Sequence, residues 1–223
     1  DNFKLTPKKL KKAISKKTKW IILNSPSNPT GSAYTKEEIQ ELSKILIKYK
    51  EIYILSDDIY EHIIYDNFDF FTIAQVAKLK ERTLTMNGVS KSYSMTGWRI
   101  GYAAGPKEII KAISKIQSQS TSNPSSISQA AAVEALSGTQ DFIKTRSDSF
   151  KERRDFVVNS LNNISGISCL KPEGAFYVFP NCKKLLSKKT KLKTDKDFVE
   201  KLLEKSEVAV VQGSAFGLDG YFR

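Results

Sequence analysis

Histidine is almost missing from this chain. His62 is the only one among 223 residues. A zinc site built on several histidines is therefore excluded, and a Ser-His-Asp triad would have to run through His62. Cysteine is equally scarce. Cys169 and Cys182 form no close pair and no Cys-x-x-Cys motif, so the thiols fit a reducing compartment and the expectation is a cytoplasmic protein. No run of about 18 apolar residues occurs, which excludes a membrane-spanning helix and predicts no membrane partner. Asp1-Asn-Phe-Lys4 lacks the apolar stretch of a secretory signal. It also lacks an initiator Met, and the expectation is a processed chain or one section of a longer protein. Arginine is sparse too: Arg82, Arg99, Arg146, Arg153, Arg154 and Arg223 are the only six, and the remaining basic residues are Lys.

The acidic side is also light. Lys and Arg number 36 against 24 Asp and Glu, a formal net charge of +12. The lysines are spread along the chain, with denser runs at Lys8 to Lys19 and Lys183 to Lys193. Nucleic-acid binders concentrate charge on one face and mix it with Arg and aromatics. The reading is a solvated Lys-rich surface with no specific nucleic-acid partner, and a salt-dependent affinity for polyanions. With these absences, catalysis falls to Lys, Asp, Tyr or Arg.

What the chain does contain suffices for a core: 40% of residues are hydrophobic and 10% aromatic. Trp20 to Asn24 reads as a buried strand, closed by the turn-rich Ser25-Pro-Ser-Asn-Pro-Thr-Gly31. Thr35 and Glu38 form a capping box for a helix whose apolar face carries Ile39, Leu42, Ile45, Leu46 and Tyr49. Further strands are predicted at Ile52 to Leu55, Thr83 to Met86 and Ile100 to Gly105. Helices are predicted after Pro106, over Ser126 to Leu136 and over about 141–161. Beyond Gly166, short strands are predicted at Ala175 to Phe179 and Val208 to Val211, with a helix through Phe198, Val199, Leu202 and Leu203 between them. The alternation predicts an α/β fold with a largely parallel sheet flanked by helices, followed by part of a smaller α+β domain. The domain boundary is placed near residue 148, giving 1–148 and 149–223. Ligands of such sheets collect beyond the carboxyl ends of the strands, where Asn28, Asp57 and Lys91 fall.

The segment Gly88-Val-Ser-Lys-Ser-Tyr-Ser-Met-Thr-Gly-Trp-Arg-Ile-Gly101 carries the chemistry. A Lys at a strand end in a Ser/Gly-rich turn suits a Schiff base with an aldehyde cofactor, and Arg99 supplies a planar fork suited to a phosphate. This segment resembles the lysine signature of the class I, fold-type-I aminotransferases, which use pyridoxal 5'-phosphate (PLP). Ser27-Asn28-Pro29-Thr30-Gly31 and Asp57-Asp58-Ile59-Tyr60 are similar to two further motifs of that family, in the same order. The resemblance implies these roles: Lys91 carries the cofactor and acts as catalytic base; Asp57 pairs with the pyridine nitrogen; Asn28 and Tyr60 reach the phenolic oxygen; Arg99 holds the phosphate. It also implies that Arg223, after Ser214-Ala-Phe-Gly217, grips the substrate α-carboxylate with Asn28 beside it. Some relatives carry a Ser where this chain has Gly88.

The resemblance spans the middle and later part of the family pattern only, so the chain looks like a section of a longer enzyme. The phosphate-binding helix start, the ring that stacks on the pyridine and most specificity residues would lie upstream. Met95 to Tyr102 and Gln117 to Pro124 look most like the bacterial aspartate aminotransferase branch. The expected reaction is aspartate plus 2-oxoglutarate to oxaloacetate plus glutamate. Alternatives are an aromatic, prephenate or alanine aminotransferase, a PLP β-lyase on the same fold, or an inactive piece of such an enzyme. The resemblance further implies a homodimer for the full-length protein, with part of its interface near Gln117 to Ser128.

Overall fold

The computed structural model describes residues 2–187 and 190–223. Residue 1, the start of the N-terminal segment without an apolar stretch, lies outside the described residues, as do two lysines of the Lys183 to Lys193 run. After a short helix α1 (Pro7–Ala13), β1 (Trp20–Asn24), β2 (Tyr53–Asp57), β3 (Thr83–Gly88) and β4 (Gly101–Ala104) form one sheet in the order β1-β2-β3-β4. The first three strands are parallel, and β4 is antiparallel to β3. Residues 89–100, the Lys91 turn and a short helical turn at Thr96–Trp98, separate it from β3; they hold no α-helix to carry the chain across the sheet, and β4 returns antiparallel.

Between β1 and β2 runs α2 (Lys36–Leu46), started by the expected capping box of Thr35 and Glu38. Its Ile39, Leu42 and Leu46 pack with Leu10 of α1 on Leu23 and Ile54, the same-face residues of β1 and β2. The opposite face of the sheet presents Trp20, Ile22, Tyr53 and Met86, and Ile22 is 69% exposed. Thus α1 and α2 cover one face, and the four apolar side chains on the other are open to solvent.

Beyond α3 (Ala77–Lys80), α4 (Lys107–Ser118), α5 (Ser126–Ser137) and α6 (Asp141–Asn162) follow the sheet region, close to the expected spans. The chain ends with α7 (Asp195–Ser206) and a loop region. Helix α6 runs unbroken through residue 148. In its first turns Arg146 donates to the Ser92 carbonyl at 3.0 Å, and past its middle Arg154 donates to the Pro172 carbonyl at 3.0 Å.

Two expected strands do not form. Ala175 to Phe179 is broken at its first residue, where Ala175 adopts φ +54°. Its neighbourhood pairs with loops instead: Gly174 N–H donates to the Gly31 carbonyl, and Ala175 N–H to the Ile63 carbonyl. Val208 to Val211 forms no bridge; the single one nearby joins Gln212 with Phe222, flanked by reciprocal backbone bonds between Val211 and Arg223. Too few consecutive backbone groups in either segment face a partner to make a ladder.

Candidate active site

The site lies where the parallel strands end. Asn24 and Asp57 are register partners at the last positions of β1 and β2. The Asn24 side chain fixes the next loop in place: its amide donates to the Asp57 carbonyl at 3.1 Å, and its Oδ1 accepts the Asn28 N–H at 2.7 Å. The loop carrying Asn28 is thereby folded back over the end of β2. Gly31 closes it at φ +69°, and a Cβ there would stand 2.4 Å from the Pro172 Cβ. Glycine is required both by the left-handed backbone and by that approach.

Asp57 is half-buried, and burial raises its carboxyl above the usual range, opposed by the Ile59 N–H that donates to Oδ1 at 3.3 Å. No cation pairs with it among the described residues. Its neighbour Asp58 is deeper, 3% exposed, and accepts from Ser56 Oγ at 2.7 Å. Burial pushes Asp58 up to about 6, against the hydrogen bonds from Ser56 and Thr72. Of the two carboxylates, the shallower Asp57 is the one open to a ligand, and Asp58 is consumed in tying β2 to the chain around Thr72.

Tyr60 is buried, and its hydroxyl lies 2.8 Å from that of Tyr177. Burial raises its pKa first, and the Tyr177 hydrogen bond adds to the rise. Lys91 projects toward the same rings, with Nζ 5.9 Å from the Tyr60 centroid and 5.5 Å from that of Phe176. Among the described residues its side-chain nitrogen meets ring faces only, with no carboxylate and no hydrogen-bond acceptor. The loop that presents it is anchored by fully buried Val89, by the Ser94 N–H to Lys91 carbonyl bond and by Arg146 on the Ser92 carbonyl. At Gly88 a Cβ would lie 3.0 Å from the Ile100 carbonyl. A serine there would need that carbonyl to give by a few tenths of an ångström.

Arg223 faces this group. Its Nη1 donates to Asn28 Oδ1 at 2.8 Å, and its guanidinium carbon stands 4.8 Å from the Tyr177 ring centroid and 5.1 Å from that of Phe216. Two flat faces and one acceptor hold the cation with donors to spare for a planar anion. Its backbone is clamped to Val211 in both directions, at 2.8 and 3.1 Å.

The fold therefore gathers Asn28, Tyr60, Lys91 and Arg223 through a continuous set of contacts, with Asp57 at the floor. Arg99 shares no hydrogen bond, ion pair or ring contact with them among the described residues. It is exposed at φ +54°, and its Nη1 donates to the Thr96 carbonyl at 3.0 Å. Sequence reasoning missed Asn24, Phe176, Tyr177 and Arg146. Tyr177 and Phe176 sit in a run that reads as a core strand, and Arg146 reads as one more charge on an amphipathic helix.

Comparison with known proteins identifies the family. The family model described as aminotransferase class I and II matches residues 1–223. A probable aspartate/prephenate aminotransferase of Rickettsia typhi is 57% identical over 100% of this chain and 57% of its own length. An aspartate aminotransferase of Rhizobium meliloti is likewise 57% identical, over 99% of this chain and 55% of its own. The crystal structure of an aspartate aminotransferase from Rhizobium meliloti superposes with a TM-score of 0.94 at 56% identity, covering 99% of this chain and 56% of that one. An aromatic aminotransferase structure from Pyrococcus horikoshii gives 0.91 at 39% identity, covering 100% of this chain and 59% of that one. The chain spans somewhat over half the length of these relatives, and it belongs to the class I and II aminotransferase family.

Proposed function

We propose that this chain contributes the catalytic lysine and the carboxylate grip of an enzyme that transaminates L-aspartate with 2-oxoglutarate. One observation carries the reading: Arg223, bonded to Asn28 and set against the Tyr177 and Phe216 rings, is linked to Lys91 through Tyr177 and Tyr60. A cation with free planar donors suits a substrate carboxylate.

The family's cofactor is PLP, and the residues present fit it. Asp57 is a half-buried carboxyl with no cationic partner among the described residues, suited to hold the proton of a ring nitrogen. Asn28 and Tyr60 would bond the phenolic oxygen, Lys91 would carry the cofactor, and Arg99 is assigned its phosphate. When bound, PLP supplies an electron sink for the carbon that loses its proton. Lys91 Nζ is the base that takes the substrate α-proton, and among the described residues no carboxylate ties it up in an ion pair. Arg223 fixes the α-carboxylate and so aims the α-hydrogen. Asn28 orients Arg223.

A second acceptor, prephenate, is favoured by the names of the Rickettsia typhi and Cereibacter sphaeroides relatives. The whole protein is proposed to be a cytoplasmic homodimer divided near residue 148. Two unpaired buried thiols, Cys169 and Cys182, support the compartment. Exposed Ile116 and Ile127 beside Gln117 to Ser128 support the interface.

The test is spectroscopic. PLP added to the chain should give a visible band that L-aspartate bleaches and 2-oxoglutarate restores within single turnovers. Restoration by prephenate as well would establish the second acceptor. A band indifferent to aspartate but bleached by L-alanine would defeat the substrate assignment.

A further inference from the structure

We propose that Tyr177 is a positioning residue that couples the carboxylate-gripping end of the site to the end that holds the cofactor's phenolic oxygen; this rests on the function proposed above. Tyr177 touches both ends at once. Its hydroxyl is 2.8 Å from the Tyr60 hydroxyl, and its ring lies under the Arg223 guanidinium at 4.8 Å. The Tyr60 and Tyr177 rings also meet edge to face at 5.7 Å. With the 2.8 Å bond from Arg223 to Asn28, the four side chains form an unbroken series of contacts.

The segment bearing Tyr177 is seated firmly enough to transmit. Gly174 N–H bonds the Asn28-bearing loop through the Gly31 carbonyl, and Ala175 N–H bonds the Tyr60-bearing loop through the Ile63 carbonyl. A Cβ at Gly174 would stand 2.5 Å from Pro26 Cγ and 2.7 Å from the Ile63 carbonyl, so glycine lets this segment press directly against both loops. Tyr177 is thus fixed relative to Asn28 and Tyr60, while Arg223 arrives from a separate segment.

The coupling arises from shared partners. A carboxylate on Arg223 competes with Asn28 Oδ1 for guanidinium N–H groups and neutralises the cation over the Tyr177 ring. The Tyr177 hydroxyl then donates or accepts differently toward Tyr60, and Tyr60 has one proton to share between Tyr177 and an oxygen ligand. Substrate binding at one end thereby changes proton affinity at the other.

The experiment uses the full chain loaded with PLP and succinate as the carboxylate probe. The pH midpoint of the visible band is measured with and without succinate, and the succinate affinity is measured alongside. The wild type should show a midpoint that moves with succinate. Tyr177→Phe, which keeps the ring and removes the hydroxyl, should lose at least two-thirds of that movement, with succinate affinity within twofold. Tyr177→Leu should also weaken succinate about fivefold. Tyr60→Phe removes that hydrogen bond together with the bond to the phenolic oxygen, so adding Tyr177→Phe to it should take away no further movement; if Tyr177→Phe does not fold, the movement is read in Tyr177→Leu. A wild-type midpoint insensitive to succinate, or an equal movement in wild type and Tyr177→Phe, overturns the coupling alone. A missing band in the wild type, or one that survives Lys91→Ala, overturns the function and the coupling together.

Discussion

Asp58 shows how a single side chain can serve the site without facing it. Its carboxyl is 3% exposed and held by Ser56 Oγ, and burial lifts its pKa from 3.8 to about 6. The folded value lies above the unfolded one, so the fold favours the neutral acid. The contribution to stability is complete below about pH 4 and is lost as pH rises through 6, about 3 kcal/mol in all. Asp58→Asn should therefore flatten the fall in thermal stability between pH 4 and 7 relative to the wild type. Parallel slopes for the two proteins in a pH series of melting curves would show that Asp58 ionises freely. Sequence alone separates the Asp57-Asp58 pair poorly, since both follow a strand and either could cap a turn; burial separates them. Lys91 is legible because a lysine in a Ser/Gly-rich turn is a poor structural choice. Tyr177 is not, because an aromatic in an apolar run is ordinarily core.

Among the elements, the helices are the readable part. Helix α2 announces itself by Thr35 and Glu38, and both capping bonds are present, Glu38 N–H to Thr35 Oγ1 at 3.3 Å and Thr35 N–H to Glu38 Oε2 at 2.8 Å. Thr35→Ala should cost about 1 kcal/mol in urea unfolding; an unchanged midpoint would mean the cap is idle. Helix α6 is held by Arg154, whose side chain is 3% exposed, with Nη1 2.8 Å from Asp66 Oδ2 and its guanidinium 4.6 Å from the Tyr65 ring centroid. Removing it strips partners from Asp66, Asp155 and the Pro172 carbonyl together. Arg154→Ala should cost about 3 kcal/mol, with Arg154→Lys recovering only part, because a point charge cannot serve three directions. Equal stability of the Ala and Lys variants would contradict that. The strands expected at Ala175 to Phe179 and Val208 to Val211 do not form because their backbone groups bond segments that lie elsewhere in the chain. No local pattern encodes those partners.

At the scale of the molecule, the sheet carries Trp20, Ile22, Tyr53 and Met86 on an uncovered face, and relatives extend well beyond the span matched here. On the reading proposed above, these residues form one wall of a cofactor site: a floor at Asp57, a lysine and a carboxylate grip. Multiple-turnover transamination by this chain alone should accordingly be weak, and ordinary enzyme rates with aspartate and 2-oxoglutarate would refute that. Lys91, among 30 lysines on a +12 chain, is the one proposed to hold an aldehyde cofactor. Its direct test is to load the chain with PLP, reduce with borohydride and map the adduct by peptide mass spectrometry. The adduct should concentrate on Lys91 and be absent there in Asp57→Ala at the same PLP concentration. An adduct spread over the exposed lysines, with Lys91 no more modified than its neighbours, would contradict the account.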